Sequence, residues 1–289
     1  MKSSESMRGI VYMTIGIAFL SGMDAMAKWL VTHDVTVIQI LAIRSIIIVP
    51  LMLLYFVSRG QQTELIPNRP KLHAIRGAIG FISPLAFFLG IKQIPLTDAV
   101  VLFFSSIFVI TLLSMVILKE KVGKHRWASI IFGFIGVLVV AGPQGGGQLS
   151  GYLLVLLGST TYAILFISSR YLAATESVAS LVFSFNFCVG VMSLFLLPFF
   201  WNPLNAADIV QLTGLALLAV TGHYFLTMAF ASSEASLVAP FEYTAIIWAI
   251  GFDLIVWKTM PSMTTAVGAT IIICSGLYIV HRERVKGSY

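Results

Sequence analysis

The sequence predicts an all-α integral membrane protein whose ten transmembrane helices form two inverted five-helix repeats. Three observations predict it: a composition too poor in charge for a water-exposed surface, ten apolar runs with one-sided Lys and Arg, and an internal repeat. Of 289 residues, 58% are hydrophobic and 10% charged, against about 25% charged in an ordinary globular chain. Ten spans of about 20 residues, the length a bilayer requires, use roughly 200 residues and leave only short ends and loops. The formal charge of +6 reads as basic loops facing the cytoplasm, not as a nucleic-acid surface. Cys188 and Cys274 lie inside apolar runs and read as packing residues, not as a disulfide or a metal pair.

Charge, Pro and Gly punctuate the chain into spans at about 9–30, 37–57, 74–91, 98–118, 126–142, 151–171, 178–198, 209–231, 236–257 and 263–281. The first, Gly9 to Leu30, is too long for a signal core and has no small-residue cleavage site after it. The second and third carry Pro50 and Pro84 as candidate kinks, and the ninth opens on Pro240. Short links, such as Ser232-Ser233-Glu234 between the eighth and ninth, make sequential helices antiparallel neighbours. With the N-terminus inside, fourteen Lys and Arg fall on the cytoplasmic side, among them Arg59, Arg69, Arg76, Lys119, Lys121, Arg170 and Arg282. Lys92 and Lys258 fall on the other side, while Lys28 and Arg44 lie within spans. That asymmetry places both termini in the cytoplasm, with the chain multi-pass in a bacterial inner membrane.

The repeat is the strongest signal. Gly9, Gly16, Lys28 and Trp29 pair with Gly151, Gly158, Arg170 and Tyr171 at an offset of 142 residues. Ala128 and Gly136 pair with Gly268 and Gly276 at an offset of 140. The seam from Pro143 to Ser150 is Gly-rich and polar, so the expected organisation is repeat 1–143, linker 144–150 and repeat 151–289. Five helices per half is an odd number, which inverts the second half. Inverted repeats are the construction of many secondary transporters, with the substrate near the midplane between the halves.

The motifs carry a resemblance. Met23-Asp24-Ala25-Met26-Ala27-Lys28 closes helix one and Arg44 stands early in helix two. Lys119-Glu120-Lys121 closes helix four, and Ala239-Pro240-Phe241-Glu242-Tyr243 opens helix nine. On these residues the chain resembles the drug/metabolite transporter superfamily, specifically its EamA-type members, over nearly its whole length. Within that family it looks most like the bacterial aromatic amino-acid exporters. The resemblance implies export of aromatic or neutral amino acids by alternating access of a central cavity. The alternative is uptake of an S-adenosylmethionine-like metabolite, because helix nine resembles those importers too. A departure is that the acid closing helix four has no counterpart in Lys258-Thr259-Met260-Pro261.

An ionised side chain at the bilayer centre costs about 2.5–3.5 kcal/mol on insertion scales, so each one calls for a reason. Asp24 and Lys28 are four apart on one helix face, and read either as a gate or substrate contact, or as a self-neutralising pair with Lys28 snorkelling. Arg44 needs an acceptor such as Asp24, which fits a clamp between helices one and two as well as anion binding. His223 and Glu242 come from adjacent helices and suit an ammonium site or a proton relay, or else an interhelical hydrogen bond. Asp253 reads as interfacial, near Lys258. Tyr162, Phe166, Phe104, Tyr243 and Trp248 fall on the same helices and suit the walls of an amphipathic-substrate site, or plain packing.

The sequence holds no phosphate-binding G-x-x-x-x-G-K-[ST] loop and no G-x-S-x-G or H-E-x-x-H motif. The expectation is a transporter that is not an enzyme, with no cofactor and no metal. Its expected partners are a small-molecule substrate and the lipid bilayer, not nucleic acid, and its expected state is a monomer or weak homodimer. An intramembrane enzyme using Asp24, His223 and Glu242 is the remote alternative.

Overall fold

A computed structural model describes residues 2–117, 119, 123–142, 148–232 and 238–286. Within them the regular structure is helical throughout: α1 (Lys2–Thr32), α2 (Val37–Ser58), α3 (Pro70–Ile91), α4 (Leu96–Phe103), α5 (Ser106–Ile117), α6 (Lys124–Val140), α7 (Leu149–Leu172), α8 (Val178–Leu196), α9 (Ala206–Ser232), α10 (Thr244–Ile255) and α11 (Met263–Lys286). Short 3-10 turns cover Gln62–Leu65, Leu197–Phe199 and Ala239–Tyr243. Glu120, Lys121, most of the Gly-rich seam, and Ser233 with Glu234 lie outside the described residues.

The helix limits follow local chemistry. Thr36 caps α2 in a reciprocal box with Gln39, and Asn205 and Asp208 exchange the same pair of bonds at the start of α9. Ser177 and Ser262 cap α8 and α11 by accepting from the amides of Ser180 and Thr265. Pro70 opens α3, where its missing N–H removes nothing the helix needs.

Among the described residues, seven helical segments are long and apolar enough to cross a membrane, and two shorter apolar helices, Trp127–Val140 and Met263–Tyr278, accompany them. Large apolar side chains such as Leu54, Leu138, Phe195 and Val116 stand exposed on the outside of the bundle, which suits lipid as the surrounding solvent. Without a hydrophobic drive between helices, small residues set the close contacts. Gly16 on α1 faces Gly222 and Leu226 on α9, and Gly158 on α7 faces Ser83 and Phe87 on α3. Gly136 on α6 faces Gly268 on α11, each lying over the other's backbone carbonyl. Of the repeat-paired small residues, Gly136 and Gly268 make this close helix contact, while Gly276 lies under the Tyr243 hydroxyl.

Two expected spans are not continuous α-helices. The fourth breaks at Phe104-Ser105 between α4 and α5, and the ninth runs as a 3-10 turn to Tyr243 before α10 starts at Thr244. Pro240 accounts for the second, since it cannot donate its own helical bond; nothing in Phe103-Phe104-Ser105-Ser106 signals the first. Lys119 and Lys258, which end these segments, both have φ of 56°, a left-handed conformation suited to stopping a helix.

Candidate functional site

The buried polar groups gather in three places. At the first, the end of the bundle where α1 finishes and α4 begins, Lys28 Nζ lies 3.3 Å from Asp253 Oδ1 on α10. It also donates to the Ile94 carbonyl at 3.0 Å and sits 4.6 Å over the Trp257 ring. Asp253 accepts from the amides of Leu96 and Thr97 at 3.0 and 2.7 Å, and from the Thr97 hydroxyl at 2.8 Å. It therefore caps α4 from another helix, with its charge against the positive end of that helix. One turn on, Asp98 accepts from Tyr152 on α7 and Thr265 on α11, both at 2.6 Å. Five helices are tied together by two carboxylates.

This overturns two expectations: Lys28 does not pair with Asp24 and does not snorkel (it is 6% exposed). Helical spacing identifies only neighbours on one helix, and here the bonded partner lies 225 residues away. Asp98, Tyr152, Thr97 and Thr265 were missed because none stands out in an apolar pattern; the position of Asp98 just after Pro95 was the available signal.

At the opposite end, His73 on α3 shares a 2.6 Å hydrogen bond with Ser184 on α8. Its other nitrogen is 3.4 Å from Glu176, a buried ion-pair distance without hydrogen-bond alignment. The Asn68 amide donates to Glu176 at 2.9 Å. Arg76, expected among the cytoplasmic loop charges, is instead buried and donates to Ser169 and to the Leu181 carbonyl. Sequence reading did not single out His73 and Glu176.

Between the two ends lie the interrupted helices and most of the expected site residues. The Phe104 and Tyr243 rings meet across the two breaks. Phe103 packs on Tyr162 with centroids 5.3 Å apart, and Tyr162 on Phe166 at 6.4 Å. Ser105 shares a 3.0 Å hydrogen bond with Ser159, fixing the first break to α7. Glu242 lies within electrostatic reach of both Tyr162 and Tyr243, and the Tyr243 hydroxyl is buried without a partner. Tyr162 and Phe166 nevertheless remain 37% and 47% exposed, so these aromatic faces border open space. Trp248, 41% exposed, joins none of these ring contacts among the described residues.

Arg44, on α2, is 7% exposed and within electrostatic reach of Asp24 and His223. Arg44 was expected to find an acceptor such as Asp24, but the two form no ion pair within 4 Å among the described residues. His223 and Glu242 form no hydrogen bond there either. His223 faces Arg44, and Glu242 faces the tyrosines.

The sequence pattern of the EamA-like transporter family matches this chain twice, over residues 7–142 and 149–281. A relative named an S-adenosylmethionine uptake transporter, from Rickettsia prowazekii, is 27% identical over 286 residues, covering 96% of this chain and 94% of its own. A pseudopaline exporter from Pseudomonas aeruginosa is 26% identical over 227 residues, covering 77% and 79%. An uncharacterised transporter from Helicobacter pylori is 28% identical over 218 residues, covering 72% and 73%. A solved structure with a TM-score of 0.63 and 16% identity covers 98% of this chain and 99% of that one, a likeness of fold alone.

Proposed function

Because the chain belongs to the EamA-like transporter family, we propose that it is a secondary transporter of amphipathic metabolites, aromatic or neutral amino acids above all, moved outward by alternating access. The observation that carries this reading is the pair of interrupted helices. Helix breaks at membrane depth expose backbone polar groups and are tolerated where they line a cavity, and discontinuous helices form the substrate sites of many secondary transporters. Here the breaks meet at Phe104 and Tyr243 with Glu242 alongside. Phe104, Tyr162, Phe166 and Tyr243 supply the aromatic wall. Glu242 receives an ammonium, and His223 stands opposite. Trp248 is the remaining expected wall residue, apart from these ring contacts.

The reading includes ten spans in two inverted repeats, 1–143 and 151–289 joined by 144–150, with both termini cytoplasmic. Its support is the double family match and the correspondence of local geometry. Gly16 meets residues 222 and 226, while Gly158 meets residues 83 and 87; the left-handed Lys119 and Lys258 are 139 apart, and so are Phe104 and Tyr243. In this orientation Lys28 and Asp253 close the outer end, with Asp24 and Arg44 beneath them.

A second reading, uptake of an S-adenosylmethionine-like metabolite, is favoured by the Rickettsia relative, which aligns along nearly the whole of both chains. Counterflow into liposomes holding the full chain tests both. Labelled phenylalanine or S-adenosylmethionine should accumulate unchanged when the same compound is inside. A chemically altered product without net flux would remove transport as the function.

A further inference from the structure

Arg44 carries a permanent charge and five N–H donors. Its Nε is sealed from solvent with no hydrogen-bond partner, and no described residue accepts a bond from its terminal nitrogens. A buried, unpaired charge costs several kcal/mol unless something completes it. Asp24 balances the charge at a distance beyond 4 Å, so the donors stay free. Helix α2 packs along α9, and His223, on the face of α9 that buries Leu212, Ala216 and Ala219, is itself exposed and within electrostatic reach of Arg44. An exposed ring on an otherwise buried face, beside a guanidinium of which only Nε is sealed, marks a recess, and the ring offers one N–H donor in either tautomer. A guanidinium fork with a second donor fits a planar carboxylate, bound bidentately. Glu242 lies apart from this group, among Tyr162 and Tyr243.

We propose that Arg44 and His223 form an anion subsite that takes the carboxylate of an α-amino carboxylate, whose ammonium end is held at Glu242. The inference rests on the transport reading and narrows it to zwitterions, excluding amines that lack the carboxylate. Asp24 keeps the empty subsite near neutrality, which lets Arg44 remain charged without collapsing onto a fixed partner.

Two matched pairs test it on the full-length protein: phenylalanine with phenethylamine, and S-adenosylmethionine with its decarboxylated form. Thermal unfolding in detergent reads binding, and counterflow reads transport. The member with the carboxylate should stabilise the protein and compete in counterflow at about tenfold lower concentration or better. The pair that shows the difference tells an aromatic amino acid from a nucleoside-bearing one. Arg44→Lys, which keeps the charge and loses the fork, should raise the KM of the carboxylate compound about tenfold and leave weak competition by the amine unchanged. Equal effects of both members of each pair would overturn the subsite. Selective stabilisation by the carboxylates without any flux would leave the subsite standing and remove the transport reading. No stabilisation by any compound would overturn both. Should Arg44→Lys fail to fold, the comparison on the unaltered protein decides alone.

Discussion

The rings of Phe104 and Tyr243 meet with centroids 4.7 Å apart and planes inclined by 45°, each residue standing at the break of its own helix. Contact between two interruptions concentrates the loosened backbone of both halves at one point. Around the first break the amides of Phe104, Ser105, Ile107 and Phe108 still find carbonyls three or four residues back, and the aromatic pair offers a flat face to a ligand.

Tyr243→Phe follows from this contact. The hydroxyl is buried without a partner, so deleting it removes an unsatisfied polar group and breaks no bond. Thermal stability of the purified protein should hold or rise by about 1 kcal/mol. Counterflow should need no more substrate, because the sealed hydroxyl lies against Gly276, out of a ligand's reach. A large loss of stability would show that the hydroxyl is already engaged.

Asp253→Ala and Lys28→Met should differ in cost. The alanine removes four hydrogen bonds and leaves a buried ammonium unpaired, about 3–5 kcal/mol. The methionine leaves the carboxylate with the Leu96 and Thr97 donors and should cost about 1–2 kcal/mol. Chemical unfolding in detergent measures the order; a costlier Lys28→Met would mean that α4 is not held by Asp253.

Glycine substitutions separate scaffold from open space. A Cβ on Gly136 would lie 2.8 Å from Ile272 and 3.0 Å from the Gly268 carbonyl, so Gly136→Ala should lower stability by about 1–3 kcal/mol. Gly251 has nothing within 4 Å of the same atom, and Gly251→Ala should gain up to about 1 kcal/mol from helix propensity. The melting temperatures of the two variants should move in opposite directions.

Glu242→Gln tests coupling. If Glu242 carries the coupled proton, the amide should abolish gradient-driven accumulation and leave substrate exchange intact. Proteoliposomes with and without a pH gradient separate the two, and equal loss of both would make Glu242 a binding residue alone.

The helices were largely legible in the sequence because their limits are written locally, in Thr36 with Gln39, in Pro70, and in the charged ends. The partners of the ionisable groups were not. Asp24 lies four residues from Lys28, so spacing favours it, yet Lys28 pairs with Asp253, 225 residues away, which is held at the start of α4. The break at Phe104-Ser105 carries neither Pro nor Gly, and only its register with Tyr243-Thr244 in the other half could have revealed it. Asp24 was the acceptor expected for Arg44, yet α1 packs on α9 and α2 on α8 and α9 instead of on each other, and the two side chains form no ion pair within 4 Å among the described residues.

The capped start of α4 sets a preference between states. In the proposed repeat, the mates of Lys28 and Asp253 are Arg170 and Ser114, and the serine hydroxyl bonds its own helix at Thr111. Exchanging the shapes of the two halves would therefore open an end latched by an ion pair and close one whose corresponding position carries no acid. In the proposed alternation the Lys28–Asp253 pair must break, and binding of the cargo offsets that cost.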